Sequence, residues 1–330
     1  NTTTNAKIGA RNFSDRANEF LGKIDELAIY DRALTAEEVT EIYRIKYGAN
    51  LVQNGRFDEL GSELVTGFTN GTTYPFTTFT TSGNNITSAI VSSAFAGAVS
   101  NAISVTSGQT YKVTFDYTKN SGDDLRVVFS NVVSGAGTQI SNNELISSSG
   151  SYTKYFKITS TTTGYLQIGT GNSGHSLNAS INNVSVKQVD PNDRWLAGAG
   201  GAAKQALTDV ATLTVTGGFD IMLRQNGILT SGKKYKITYN TDLSGITSGS
   251  FKWQTFSDSS SARTILNGTN TVILTANGSD LYVSEGGASG TGIFTFIMVE
   301  EQKYVATNLK LNSGNYKSAD PVIVSTKSVD

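Results

Sequence analysis

Between residues 111 and 117 the chain places Tyr111, Val113, Phe115 and Tyr117 at odd positions and Lys112, Thr114 and Asp116 at even ones. Successive side chains of a β-strand point to opposite faces, so this spacing dictates a strand with one buried face and one wet face. The pattern also returns. Ser107-Gly108-Gln109-Thr110-Tyr111-Lys112-Val113-Thr114-Phe115 recurs as Ser231-Gly232-Lys233-Lys234-Tyr235-Lys236-Ile237-Thr238-Tyr239, and residues 181–189 have a counterpart at 294–302. An internal repeat of this kind predicts two consecutive modules of one architecture. Further strands are predicted at 125–130, 152–159, 164–169 and 177–189, separated by clusters of Gly, Ser, Asn and Thr. Short alternating strands with such punctuation form antiparallel sandwiches.

A chain of 330 residues has room for two or three such units. Charged residues make up only 16% of it and 34 glycines help fill the difference, a composition that relies on strands and turns. The net charge of −1 provides no long-range field to gather phosphate backbones or anionic head groups, which argues against nucleic acid and membrane surfaces as partners. Nor does any apolar run approach the roughly 18–20 residues of a bilayer span, so no membrane insertion is expected. The absence of cysteine excludes disulfides, thiolate zinc sites and a cysteine nucleophile. It also favours a bacterial surface or virion setting over an animal extracellular one. The chain opens on Asn1 without a signal peptide, so a processed product or a fragment is expected.

The first fifty residues carry a different signal. Thr35-Ala36-Glu37-Glu38 is a capping box, Val39, Ile42 and Tyr43 follow at helical spacing, and Gly48 supplies a stop, which predicts one short helix over 36–47. Before it, Leu27 and Ile29 share one face of a strand, and Asp31-Arg32-Ala33-Leu34 forms the corner. The run from Phe20 through Glu38 resembles the closing strand and helix of a laminin-G-like, concanavalin-type jelly roll, most of which would lie upstream. The expected organisation is therefore 1–50 as the end of such a domain, 51–190 as a first jelly roll and 191–303 as a second. Residues 304–330 are expected to form an extended tail or a strand donated to a neighbour. Pro191, within Asp190-Pro191-Asn192-Asp193, marks the linker. The fold class is all-β: tandem antiparallel β-sandwich (jelly-roll) modules with one short helix near the N-terminus.

The first module opens Leu51-Val52-Gln53-Asn54-Gly55-Arg56-Phe57-Asp58 and closes Ile181-Asn182-Asn183-Val184-Ser185-Val186. Both ends resemble jelly-roll carbohydrate-binding modules of glycoside hydrolases and their relatives in bacteriophage structural proteins. The resemblance implies two kinds of site. One is a structural calcium held by oxygen ligands of the first and last strands. Asp58 and Glu59 match the opening position and Asn182 replaces the closing acid, which lowers the ligand charge; alternatively Asp58 caps a turn and Asn182 solvates a strand end. The other is a sugar platform of exposed aromatic rings with nearby amides and carboxylates. Tyr74, Phe76 and Phe79 around Pro75, together with Trp195, are the candidates, against the alternative that each is core; Trp253 alternates with Phe251 as core would.

Catalytic groups are sparse. His175 is the only histidine and stands in the polar turn Gly174-His175-Ser176, with no Gly-x-Ser-x-Gly elbow in company. The carboxylate pairs Asp25-Glu26, Asp123-Asp124 and Glu300-Glu301 are each adjacent in sequence, so in strands their members face opposite ways, and Asp123-Asp124 reads as a hairpin turn. The expectation is a non-enzymatic structural or adhesive surface protein, a bacteriophage fibre, decoration or tail component with host-glycan contact. The alternative is a secreted bacterial polysaccharide-binding or adhesin module. Its partners would be other virion or surface proteins in a homo-oligomeric or multi-copy assembly, and host or environmental glycans. No cofactor is expected beyond the structural calcium, and the location would be the virion surface or extracellular.

Overall fold

A computed structural model describes residues 50–302, except 93–94, 134–137, 199, 202–203 and 256–261, together with Ala33. The predicted helix, the laminin-G-like segment and the tail lie outside the described residues. Residues Asn50–Glu301 form one compact unit. It is all-β and holds two hydrophobic cores.

The first core lies between two antiparallel sheets. Its strands are β1 (Phe68–Asn70), β2 (Thr78–Ser82), β3 (Asn85–Val91), β4 (Gly97–Ser100), β5 (Ile103–Val105), β6 (Thr110–Gly122), β7 (Leu125–Ser130), β8 (Gln139–Ile146), β9 (Gly150–Lys157), β10 (Thr162–Thr170) and β11 (Leu177–Gln188). One sheet runs β1-β4-β10-β7-β8 with β5 also on β10, and the other runs β2-β3-β11-β6-β9. Tyr111, Val113, Phe115 and Tyr117 all point into this core, as their alternation requires. Asp123 and Asp124 do not close a hairpin. They connect β6 in one sheet to β7 in the other, and Gly122 turns this corner at φ +103°, where a β-carbon would come within 2.4 Å of the Ser176 carbonyl oxygen.

The second core is wrapped by a single folded sheet. It comprises β12 (Gln205–Leu207), β13 (Ala211–Thr216), β14 (Ile221–Gln225), β15 (Lys234–Gln254), β16 (Arg263–Thr264), β17 (Gly268–Thr275) and β18 (Leu281–Glu301). The order is β12-β13-β18-β15-β16, with β14 on β18 and β17 on β15. β15 and β18 are 21 residues each, and at ~3.3 Å per residue a straight strand of that length would run ~70 Å, beyond the width of a small domain. Both bend where their register shifts, between Asn240 and Ser250 on β15, and there Gly245 and Gly290 pack backbone to backbone. Tyr235, Ile237 and Tyr239 from one half of β15 thus meet Phe251 and Trp253 from the other in one core.

The sequence repeat becomes a repeated strand pair. β6 lies beside β11 as β15 lies beside the C-terminal half of β18. Each copy begins with the same turn, in which Gly108 (φ +90°) and Gly232 (φ +85°) adopt a left-handed conformation and donate to Ile158 and Ala276.

Residues 51–57, read from sequence as the opening of the first module, pack elsewhere. Val52 and Phe57 are buried in the second core, the Leu51 amide donates to the Val299 carbonyl at 2.8 Å, and the Ile297 amide donates to Gly55 at 2.7 Å. The chain then leaves the second core, builds the whole first module, and returns. Exit and return are clasped: Leu60 bridges Val189, the Asp190 amide donates to Glu59, and Asp190 accepts from Asn54 Nδ2 at 2.9 Å and from the Trp195 amide at 2.9 Å. A second tie between the modules is Lys112, whose ammonium lies 2.9 Å from Asp209 and 5.7 Å above the Tyr155 ring. Burial works against ionisation of Asp209, yet its contacts with Tyr155 and Lys112 hold the carboxyl below the usual carboxylate range.

Candidate functional site

On the outward face of the β2-β3-β11-β6-β9 sheet lies a groove of about 290 Å³, at the lower edge of the ~300–1,000 Å³ range of small-molecule sites. Thr114 and Asp116 of β6, Ser151 and Thr153 of β9, and Asn183 of β11 line it, with Phe115 and Tyr152. Strand alternation places these polar groups together. Asp116 stands opposite Ser151 and Thr114 opposite Thr153 in the β6–β9 ladder, one residue off the inward aromatic row. That inward row supports the floor, with Phe115 and Tyr152 stacked at 5.5 Å and 25°.

Asn183 reaches the groove through a bulge. The β11–β6 register slips between Asn182 and Ser185, Asn183 takes φ +53°, and its amide is fixed by Asn85 Oδ1 at 2.7 Å. Asparagine tolerates this left-handed conformation better than most residues. Its side-chain amide donates to Asp116 at 2.7 Å, and the Ser151 hydroxyl donates to the other carboxylate oxygen at 2.5 Å. These two hydrogen bonds favour the charged form and hold the Asp116 carboxyl below its ordinary range. A carboxylate offers about four lone-pair positions, so roughly two remain for an incoming ligand. Threonine hydroxyls at either side can donate or accept. Such a cluster suits a polyhydroxylated molecule.

The aromatic candidates are dispersed. Phe76 is 3% exposed within the first core, because Asn70 grips it from both sides, accepting from its amide at 2.8 Å and donating to its carbonyl at 3.0 Å. Phe79 is partly buried and stacks on Phe76 with ring centroids 6.0 Å apart. Trp195 is 4% exposed in the second core, packed on Phe57, with its indole nitrogen donating to the Asn54 carbonyl at 2.8 Å. Phe76 and Trp195 therefore pack and offer no ring face to a ligand. Tyr74 alone of the four keeps a substantial surface, 38%, its ring edge-on to Phe95.

The oxygen ligands proposed for calcium do not converge. Glu59 is tied to Asp190 at one end of β11, whereas Asn182 lies eight residues back along the strand, roughly 25 Å at ~3.3 Å per residue. Glu59 instead accepts from Asn192 and faces Arg194 at 3.6 Å, and Asp58 is exposed. Among the described residues, no group of three or more His, Cys, Asp and Glu side chains could hold a metal ion. His175 sits in a turn closed by its amide donating to Asn172, beside Asp123, whose carboxylate accepts from the Ser176 amide at 2.8 Å.

No family model and no curated protein matches this chain. Solved structures with some likeness include one described as "CBM4 structure and function", at 15% identity and TM-score 0.29, covering 37% of this chain and 94% of the other. A CBM22-1–CBM22-2 tandem domain from Paenibacillus barcinonensis Xyn10C is 10% identical with TM-score 0.27, covering 74% and 97%. The N-terminal cellulose-binding domain of Cellulomonas fimi β-1,4-glucanase C is 16% identical with TM-score 0.27, covering 42% and 96%. At this level of similarity the three carry no inference about the present chain.

Proposed function

We propose that the protein is a non-catalytic carbohydrate-binding protein of a cell or particle surface, and that the Asp116 groove takes part of a neutral saccharide chain. The observation that carries this is the ionised Asp116 with spare acceptor capacity, oriented by Asn183 and Ser151 and flanked by Thr114 and Thr153. Sugar hydroxyls need acceptors and donors held at fixed positions, and positions fixed before binding save the entropy of ordering them. Hydrolysis would need a second carboxylate across the groove, and Asp116 is the one carboxylate in the described lining. The phage-virion setting is carried by the sequence resemblance alone; the glycan-binding core of the proposal is common to that reading and to the adhesin reading.

Affinity electrophoresis through gels containing a soluble xylan, a mixed-linkage β-glucan or a galactomannan tests the proposal. Wild-type protein should be retarded by at least one of them. D116A and N183A should lose at least tenfold in affinity while keeping the wild-type unfolding midpoint. Retardation that survives both substitutions removes the groove from the proposal, and release of reducing sugar by wild type refutes the non-catalytic reading.

A further inference from the structure

The most exposed large apolar side chain among the described residues is Phe219, at 83%, between Gly217-Gly218 and Asp220 in the loop joining β13 to β14. The loop that carries it is held on both sides. The Gly217 amide donates to Ala288 at 2.7 Å, the Gly287 amide to Gly218 at 2.8 Å, and the Glu285 amide to Asp220 at 3.0 Å. Beneath lies an ionic pedestal in which Lys204 Nζ is 2.8 Å from Asp220 and 2.9 Å from Glu285. The Glu285 side chain has no exposed surface, and its second oxygen is buried without a hydrogen-bond partner among the described residues. The fit is tight: a β-carbon on Gly218 would come within 2.2 Å of Glu285 Oε1, and one on Gly200 within 2.6 Å of Asp220 Oδ1. A large apolar ring is thus presented to solvent from a loop that backbone hydrogen bonds and the Lys204 ion pairs hold in place.

We infer that Phe219, with Lys204 and Asp220, forms a second saccharide site at one end of the second module. This rests on the carbohydrate-binding reading of the chain and adds a site that the groove does not contain. The occupant is a single pyranose ring. Its C–H face stacks on Phe219, a contact that takes a flat apolar partner and leaves the ring hydroxyls at the edge. Asp220 follows Phe219 directly and pairs with Lys204 at 2.8 Å, so the loop that presents the ring also holds a charged acceptor and, through it, a charged donor. The Lys204 ammonium has three donor hydrogens, two of them committed to Asp220 and Glu285, and the third is available to a hydroxyl. The loop backbone that carries Phe219 is already anchored, so binding has only the side-chain rotamer left to order, which favours affinity. Two sites on one unit raise the avidity for a polysaccharide above that of either.

Three variants, F219A, F219W and D116A, distinguish this site from the groove. Each is run against the xylan, β-glucan and galactomannan by affinity electrophoresis, with thermal unfolding measured in parallel. F219A should unfold as wild type does, since an exposed side chain makes few contacts. It should weaken retardation by about tenfold on at least one polysaccharide, F219W should restore it, and the F219A/D116A double variant should lose what either single variant keeps. Wild-type affinity of F219A for every polysaccharide that retards the wild type, with D116A weakened on at least one of them, overturns the second site and leaves the groove standing. Absence of retardation of wild type by any polysaccharide overturns both.

Discussion

Phe57 sits in sequence at the threshold of the first module but in space inside the second core, where it is 1% exposed and packs against Trp195 with ring centroids 5.4 Å apart. Replacing it with alanine should therefore unfold the module that is distant in sequence. A buried phenylalanine truncated to alanine costs about 3–5 kcal/mol, from lost transfer free energy and the cavity left behind. With an m-value of about 2 kcal/mol/M for a domain of this size, a 4 kcal/mol loss moves the urea midpoint down by about 2 M. The assay is unusually selective, because the chain has two tryptophans, Trp195 and Trp253, and both lie in the second core. Tryptophan fluorescence thus reports the second module alone, while far-UV circular dichroism follows both. F57A should split the two signals, with the fluorescence transition shifted to lower urea. An unmoved fluorescence midpoint would refute the placement of residues 51–57 in the second core.

Three further outcomes are expected. Residues 58–190 produced alone should fold cooperatively, since every residue of the first core lies within them, whereas 191–301 alone should not, lacking Val52 and Phe57; heteronuclear NMR dispersion checks both. Saccharide binding should be flat from pH 7 down through the ordinary aspartate value of 3.8 and fall only below it. Asp116 is held lower by Ser151 and Asn183, so its contribution is present above that range and lost as pH drops through the lowered value; titration calorimetry across pH measures this. G122A should destabilise the first module by about 2 kcal/mol or more, because φ +103° strains an alanine and its β-carbon would lie 2.4 Å from the Ser176 carbonyl; the dichroism transition should shift while tryptophan fluorescence does not.

The strands of the first module were legible because alternation is a local property. Residues 125–130 and the inward row from Tyr111 to Tyr117 follow from side-chain direction alone. The destination of Leu51, Val52 and Phe57 was not legible, since their apolar character says only that they are buried and their position in the chain suggested the wrong core. Phe76 and Trp195 turned inward for a related reason, whereas Tyr74 keeps 38% of its surface. Pro75 marks a surface loop, but the two Asn70 hydrogen bonds that turn Phe76 inward come from a residue whose own role appears only in three dimensions. Asp116 was visible as one of the wet positions, and nothing local distinguished it from Thr114. Its partner Asn183 is 67 residues away and reaches it through a bulge that sequence spacing does not announce. Phe219 did leave a trace, an aromatic isolated between two glycines and an aspartate where the alternation of β13 stops.

The clasp at Leu60–Val189 also shortens the loop that the second core has to close. The Asn50 side chain bonds Val299 across 249 residues, a contact whose closure from an open chain is slow and entropically costly. Once the first module has folded, its own β-ladder brings Glu59 beside Asp190, so the long loop shrinks to the few residues of the clasp. The first module then acts as a splint that delivers the leading strand to its partner. A slow-folding first module would leave that strand unpaired and the second core open, exposing a β-edge to other chains.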